Sequence, residues 1–470
     1  MPFHFINNND TIDRKARKLI RSHAAKGKNL GRTIHRPSRD PRPRKDENRP
    51  VGTLPTTPPI EVDECEDGTP SFAIQRYFQE DLAVSLPFEV NPTSRRLFHQ
   101  VVTFMKIVPY GPQISKFVII PEGPNQFLQV AFVDEAFFHT VVAMAVASSI
   151  ETTRQETAEA LSHLSRSLQL VNKRLAEARD VAISDTTLAV IIALTQHERL
   201  LGYYHQGLVH FEGLLKLLDT RGGISALVTR NPKIASKAFR ADLDFALQFG
   251  TPTRFNADDV PGGIALFWLK EERRELQETR PSLPTVLSSV SDGLRQVYED
   301  ISTLVWLVNE NAVNQIKIDD HDFHSVLLLI LYRLFRVRSI NAAFGTCSAV
   351  EVVLHLGLTA VMTEFFFSSR LKLPDVRALN KRIYSAVHDH SFTVRDEQEL
   401  LFWILCTCKT SVFNDPNDDI WLIPKASEVM RQLVLGSWED ASQILQKYPW
   451  INIFSDAAGK SLWDQVTFGA

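Results

Sequence analysis

Three groups of side chains have residue types that suit metal or redox chemistry: Asp319-Asp320-His321-Asp322-Phe323-His324, His388-Asp389-His390 and Cys406-Thr407-Cys408. Neither His/Asp group has the ligand spacing of a known zinc site. Neighbouring residues on a helix point to different sides, so the trio at 388–390 does not converge on one ion. The acidic run at 319–322 reads instead as an N-terminal cap for a helix covering Val326 to Val337, because carboxylates favour the positive end of the helix dipole. The two cysteines sit in LLFWILCTCKT, an apolar helix-like run, and are expected to be buried, inert thiols. The chain has no GxSxG, HExxH, Walker or GxGxxG pattern. The expectation is a protein that is not an enzyme and takes no cofactor or metal.

The remaining candidate chemistry is electrostatic. Residues 1–50 hold 14 Lys and Arg against 5 Asp and Glu, a charge of +9, whereas the other 420 residues hold 38 against 50, a charge of −12. Within GKNLGRTIHRPSRDPRPRK, Lys28, Arg32, Arg36, Arg39, Arg42, Arg44 and Lys45 lie on a segment stiffened by proline. Such a segment can track phosphates or enter a minor groove, and it also reads as a nuclear-import signal. A solubilising tail is the plain alternative. From Arg14 to Pro59 there is too little apolar surface to offset the entropy of ordering, so this stretch is expected to be disordered. The exception is a marginal basic helix with Ile12, Ala16, Leu19 and Ile20 on one face, ending near Gly27. The stretch TLPTTPPIEVDECED reads as a linker with an acidic end.

The elements that must carry everything else follow from about residue 71. Hydrophobic residues make up 44% of the chain and charged residues 23%, ordinary usage for a protein that folds in water. No apolar h-region follows Met1, which predicts a protein kept inside the cell. The longest uncharged apolar stretch, Ala136 to Ile150, is 15 residues long, whereas a membrane span takes about 20. Four cysteines, scattered, fit a reducing compartment.

The helical period is clear in several places. Leu161, Leu164, Leu168, Val171 and Leu175 form a stripe. Ser184 or Asp185 caps a following helix that is apolar nearly all round and therefore central. Leu208, Phe211, Leu214, Leu215 and Leu218 mark a third helix, stopped by Gly222-Gly223. Further helices are predicted over 264–278, 285–312, 323–340, 349–368, 375–388, 396–414 and 424–447, with Pro261, Pro281, Pro284, Pro374, Pro416 and Pro424 between them. SKFVIIP reads as a lone extended segment, with no set of strands to pair it. The architecture expected is all-α: a disordered basic arm and linker over 1–70, then a large multi-helix, bundle-like domain over 71–470.

The segments EALSHLSRSLQLVNKRLAEA, SDTTLAVIIALTQHE, HFEGLLKLLDTRGGISAL and RADLDFALQFGTPTRF, in this order, resemble the fungal-specific transcription factor domain found behind binuclear zinc clusters. His210, Gly213, Leu214, Leu217, Arg221, Gly222 and Gly223 match that family's H-x-x-G-L-x-x-L-x-x-x-R-G-G element. The tail ILQKYPWINIFSDAAGKSLWDQV is similar to the family's closing Trp-bearing segment. FHFINNND followed by KARKLIRSHAAKGK is similar to the opening of a subgroup that carries a basic arm in place of the cluster. A binuclear cluster takes six cysteines, and the first 346 residues contain only Cys65.

The resemblance implies a nuclear regulator of transcription, with other transcription proteins as partners and DNA reached through the arm. The alternative is a helical interaction scaffold that never touches DNA. Physically, the Arg-Gly-Gly element reads as structural, with His210 and Arg221 flanking the inward Leu214 and Leu217 on one helix face. Arg221 is expected there to pair with an acid or to cap carbonyls, and Asp242 and Asp244 are the candidate acids, between which the sequence does not choose.

Overall fold

Most helix starts are set by side chains that accept the backbone N–H groups a first turn leaves unpaired. The computed structural model describes residues 90–107, 113–119, 127–149, 152–177, 183–261, 284–343, 345, 347–367, 376–413 and 415–468, all within one compact unit, Ala73–Ala470. The basic arm and linker predicted over 1–70, with Arg32, Arg36, Arg39, Arg42, Arg44, Lys45 and the marginal helix, lie outside these residues. So does the helix predicted over 264–278.

Fifteen α-helices occur among the described residues. The first seven are α1 (Pro92–Ile107), α2 (Glu135–Ser148), α3 (Arg154–Ala176), α4 (Asp185–Leu200), α5 (Tyr204–Thr220), α6 (Gly223–Arg230) and α7 (Pro232–Phe249). The rest are α8 (Asp292–Asn314), α9 (Asp320–Val337), α10 (Ala349–Phe367), α11 (Arg377–His388), α12 (Arg395–Ser411), α13 (Asp419–Leu433), α14 (Trp438–Leu445) and α15 (Asn452–Phe468). Asp134 caps α2 through the Phe137 N–H, Ser184 caps α4 through Thr187, and Asn231 caps α7 through Ile234 with Pro232 in its first turn. Thr153 and Glu156 close a reciprocal capping box on α3. Asp319 accepts the N–H groups of His321 (2.9 Å) and Asp322 (3.3 Å), the capping role expected of the acidic run.

The protein is all-α, as the periodicity predicts; no strand occurs among the described residues. The extended segment in SKFVIIP makes a single parallel bridge, Val118 to Ile318. Among the described residues no helix is long and apolar enough to cross a membrane.

Three details depart from the sequence reading. The helix predicted over 285–312 starts late: Thr285–Ser289 is a 3-10 turn, and α8 begins at Asp292. The single helix predicted over 424–447 is two, because Val434 adopts a left-handed conformation (φ 56°) between α13 and α14. Pro424 lies inside α13 rather than before it; the carbonyl that loses its helical donor belongs to Ile420, which is 74% exposed.

The leucine stripe on α3 also does not face inward as a unit. Leu161 and Leu175 are exposed, and the buried positions are Ala160, His163, Ser167 and Val171. The surface of α2 opposite them is polar, with Thr140 Oγ1 2.7 Å from Ser167 Oγ and Ser167 donating to the Ala136 carbonyl. Small polar side chains fit that seam, and the leucines take its shoulders.

The core gathers around α4, which is buried without a break from Thr187 to Thr195, and around α9, α10 and α12. Helices α10 and α12 approach closely because Gly357 leaves room for the fully buried Trp403 ring. The Trp403 indole donates to the Pro449 carbonyl (3.0 Å), and Tyr448 stacks on it. Asn309 holds the Trp450 carbonyl and the Asn452 N–H, so the Trp-bearing tail is fixed onto α8 and α12.

One buried acid in this core carries a measurable consequence. The Ser455 hydroxyl donates to Glu364 Oε2 (2.9 Å), and Oε1 has no hydrogen-bond partner among the described residues. Burial raises the Glu364 carboxyl from its ordinary 4.5 to about 8. The folded state therefore holds this proton more tightly than the unfolded state does. Its contribution to stability is complete below about pH 4.5 and is lost progressively as pH rises towards 8. The Glu364→Gln variant is expected to unfold at nearly the wild-type temperature at pH 4.5 and at a higher one above pH 8. Parallel melting curves for the two proteins across that range would refute this assignment.

Candidate functional site

The Arg-Gly-Gly element sits where α5 ends and α6 begins. Leu214 is fully buried and Leu217 partly buried, as their spacing predicts, and Gly213 faces open space. His210 is partly buried on the same face; burial holds its imidazole below the ordinary value, with Glu198 opposing and His197 reinforcing the shift. Arg221 terminates α5, and the two glycines that follow both have positive φ, 95° at Gly222 and 82° at Gly223. This is the left-handed exit for which glycine is suited.

Arg221 finds its acid in Asp185, not in Asp242 or Asp244. Asp185 is the first residue of α4, and its other oxygen accepts from the Asn231 side chain (3.2 Å), which caps α7. One carboxylate thus joins the end of α5 to the starts of α4 and α7. The sequence already marked Asp185 as a residue at a helix start. What it lacked was the direction of the Arg221 side chain, which follows from the tertiary placement of α5 against α4.

The two acids first considered have other work. Asp242 accepts the backbone N–H groups of Arg254 (2.9 Å) and Phe255 (3.0 Å) and the Tyr332 hydroxyl (2.8 Å). Burial pushes its carboxyl up, and these bonds oppose the shift. Asp244 pairs with Arg240 (3.0 Å) and with Arg199 (3.4 Å), at the far end of α4. Beside them, burial and then the Arg240 charge lower the Lys237 ammonium to about 8. Asp244 is matched by Arg199 of α4 and Arg240 of α7, and Arg221 of α5 by Asp185 of α4. The arrangement suits a rigid joint between helices.

Of the other groups singled out by type, Asp320 and His324 of α9 lie near enough to feel the Lys237 charge. Asp319, His321 and Asp322 are exposed, and Asp319 is engaged in capping. His388 stacks on Tyr384 (4.1 Å between ring centroids), while Asp389 accepts from Ser385. Cys406 and Cys408 are buried, and burial pushes both thiols up. A cluster that the sequence reading missed lies between α2 and α3, where His139 and His163 meet with ring centroids 4.7 Å apart. Burial and then the His163 charge lower His139 to about 4, and burial lowers His163 as well. Its sequence signal is Glu-x-x-x-His on both helices, at 135–139 and 159–163.

Residues 118–249 match the fungal specific transcription factor domain, a segment that contains α2 to α7 and the whole Arg-Gly-Gly element. No curated protein and no solved structure matches the chain.

The geometry of the element makes a direct prediction. Gly222→Val and Gly223→Val are each expected to lose about 1–2 kcal/mol, because a β-branched residue is strained at positive φ. Gly213→Ala should keep or slightly raise stability, since an added Cβ there meets nothing within 4 Å. Denaturant unfolding of the three variants checks this. Equal midpoints at 222 and 223 to wild type would remove the left-handed helix exit as the reason for the glycine pair.

Proposed function

We infer, from a chain that carries a fungal specific transcription factor domain over residues 118–249, that this protein is a nuclear regulator of transcription and not an enzyme. In this reading the helical body is a regulatory or partner-binding module, and the basic arm delivers the protein to the nucleus and supplies its DNA affinity. The family match over α2 to α7 is the observation that carries the reading. Three further features support it. The charge of the chain is split, +9 over residues 1–50 and −12 over the rest. Cysteines number four in all, too few for the six of a binuclear zinc reader. Among the described residues, Arg174, Arg199, Arg221, Arg240 and Arg333 are each paired with a carboxylate.

With no such reader, contact with DNA is electrostatic: Lys and Arg of the arm, among them Arg32, Arg36, Arg39, Arg42, Arg44 and Lys45, displace counterions from phosphates. Narrow A·T-rich minor grooves would add a modest preference by accepting arginines. With about 5–7 phosphates neutralised, log K should fall against log salt with a slope of about −5 to −6.

Deleting residues 1–60 tests the reading as a whole. The truncated protein is expected to melt at the wild-type temperature while losing both nuclear accumulation and retention on DNA. Chromatin occupancy mapping with the full chain separates a DNA-bound regulator from a scaffold. A truncated protein that enters the nucleus and holds DNA with unchanged affinity would move the function to the acidic body or to a partner.

A further inference from the structure

The seam between α2 and α3 contains a histidine pair whose hydrogen bonds conflict. His139 Nδ1 and His163 Nδ1 point at each other, 2.5 Å apart. The far side of each ring faces a carboxylate: His139 Nε2 lies 3.6 Å from Glu135 Oε1, and His163 Nε2 lies 3.5 Å from Glu159 Oε1. Ser94 on α1 stands between the latter two, with its Oγ 2.7 Å from both Glu159 Oε1 and His163 Nε2.

The direction of these bonds can be worked out from the carboxylates, which only accept. The Ser94 hydroxyl donates to Glu159, so its oxygen accepts from His163, which places the His163 proton on Nε2. His163 Nδ1 is then a bare lone pair, and the facing His139 Nδ1 must supply the proton between them. A neutral His139 that donates from Nδ1 has no proton on Nε2. That leaves a lone pair turned towards the Glu135 carboxylate, a repulsive contact. The carboxylate cannot easily turn away, because the same Oε1 is held by the Arg166 guanidinium (2.9 Å).

We propose that His139 and His163 form a two-imidazole clamp for a divalent transition cation of the imidazole-preferring kind, such as zinc, across the α2–α3 seam. The cation removes the conflict. With a metal between the Nδ1 atoms, the His139 proton moves to Nε2, where Glu135 accepts it, and His163 keeps its own on Nε2 towards Ser94 and Glu159. Both Nδ1 lone pairs then face the ion. A carboxylate or hydroxyl on the remote nitrogen of each ligand is the usual outer arrangement around metal-bound histidine. Glu135 and Glu159 stay in that outer position because Arg166, Asn91 and Ser94 engage their oxygens.

The clamp has the right size after a small movement. Two imidazole nitrogens at about 2.0–2.1 Å from a tetrahedral zinc are about 3.3 Å from each other, so the rings must part by roughly 0.8 Å. Rotation of side chains on two separate helices accommodates this. The His139 side chain is 18% exposed and the His163 side chain 10%, so the pair is recessed but reachable from the rim of the seam. Two protein nitrogens leave the remaining coordination positions to water. The effect of the ion would be to fasten α3 to α2 at one end of the matched domain. The proposal rests on this seam alone and does not depend on the reading of the arm.

Isothermal titration of the full chain, first stripped with a chelator, with Zn²⁺ at pH 7.5 tests the clamp. One equivalent should bind. His139→Gln and His163→Gln should each weaken binding at least 100-fold, and Glu159→Gln, acting through the outer position, about 10–100-fold. His321→Ala, in the exposed Asp319/His321/Asp322 group, should leave the affinity unchanged. Imidazole nitrogen NMR of the wild-type protein gives a readout that needs no variant: His139 should change from the Nδ1–H to the Nε2–H tautomer on adding zinc. Absence of stoichiometric binding, binding unaffected by both histidine variants, or an unchanged His139 tautomer would each overturn the proposal.

Discussion

Helix α4 is buried on all sides from Thr187 to Thr195, and its surroundings are organised by the need to place its two ends. A buried helix leaves four N–H groups at one end and four carbonyls at the other, together with the partial charges of its dipole. At the start, Ser184 accepts the Thr187 N–H, and Asp185 brings a negative charge to the positive end. At the finish, His197 and Arg199 stand in the last turn, with Arg199 paired to Asp244 of α7. The neighbours are then tied to those same charges. Arg221 closes α5 onto Asp185, and Asn231 starts α7 from it. The two glycines after Arg221, both at positive φ, turn the chain from the end of α5 into α6.

Much of this was legible in the sequence, and the limit was physical. An all-round apolar run can only be a central helix, and a glycine pair after a helical stripe can only be its end; α4 and the exit of α5 follow from those two facts. Capping at Ser184 and Asp319 was equally local. Arg221's partner was not, because an arginine reaches far enough for Asp185, Asp242 and Asp244 all to be reasonable until the helices are placed. The α3 stripe failed for a related reason. Periodicity finds the face richest in leucine, but the buried face is the one that matches its neighbour, and α2 offers Thr140, the Ala136 carbonyl and His139. Pro424 shows the complementary case, a breaker tolerated because Ile420, whose carbonyl it leaves without a donor, is exposed.

The polar seam between α2 and α3 and the ionic joint around α4 are two solutions to one problem, since both bury groups that need partners. In the joint, opposite charges meet in pairs: Arg221 with Asp185, Arg199 and Arg240 with Asp244. In the seam, Arg174 meets Asp134 (2.8 Å) and hydroxyls meet each other, but His139 and His163 meet as two groups of the same kind. Burying like with like is costly unless something is shared between them. That asymmetry separates the histidine pair from the rest of the buried polar set.

The same pairing bears on how the body and the arm divide their roles. A surface that binds polyanions needs cations that are exposed and not already matched. In the body, Arg221, Arg199, Arg240, Arg174 and Arg333 are each matched to a carboxylate, and the residues beyond 50 carry a net −12. Moving Arg174 or Arg333 to a phosphate would leave the buried carboxylate of Asp134 or Asp300 without its cation, which costs more than a screened surface contact returns. Residues 1–50 carry +9 with little apolar surface to hold them in a core. Under the proposed function, anionic partners would fall to the arm, and the helical body would be left to contacts in which shape and apolar surface decide.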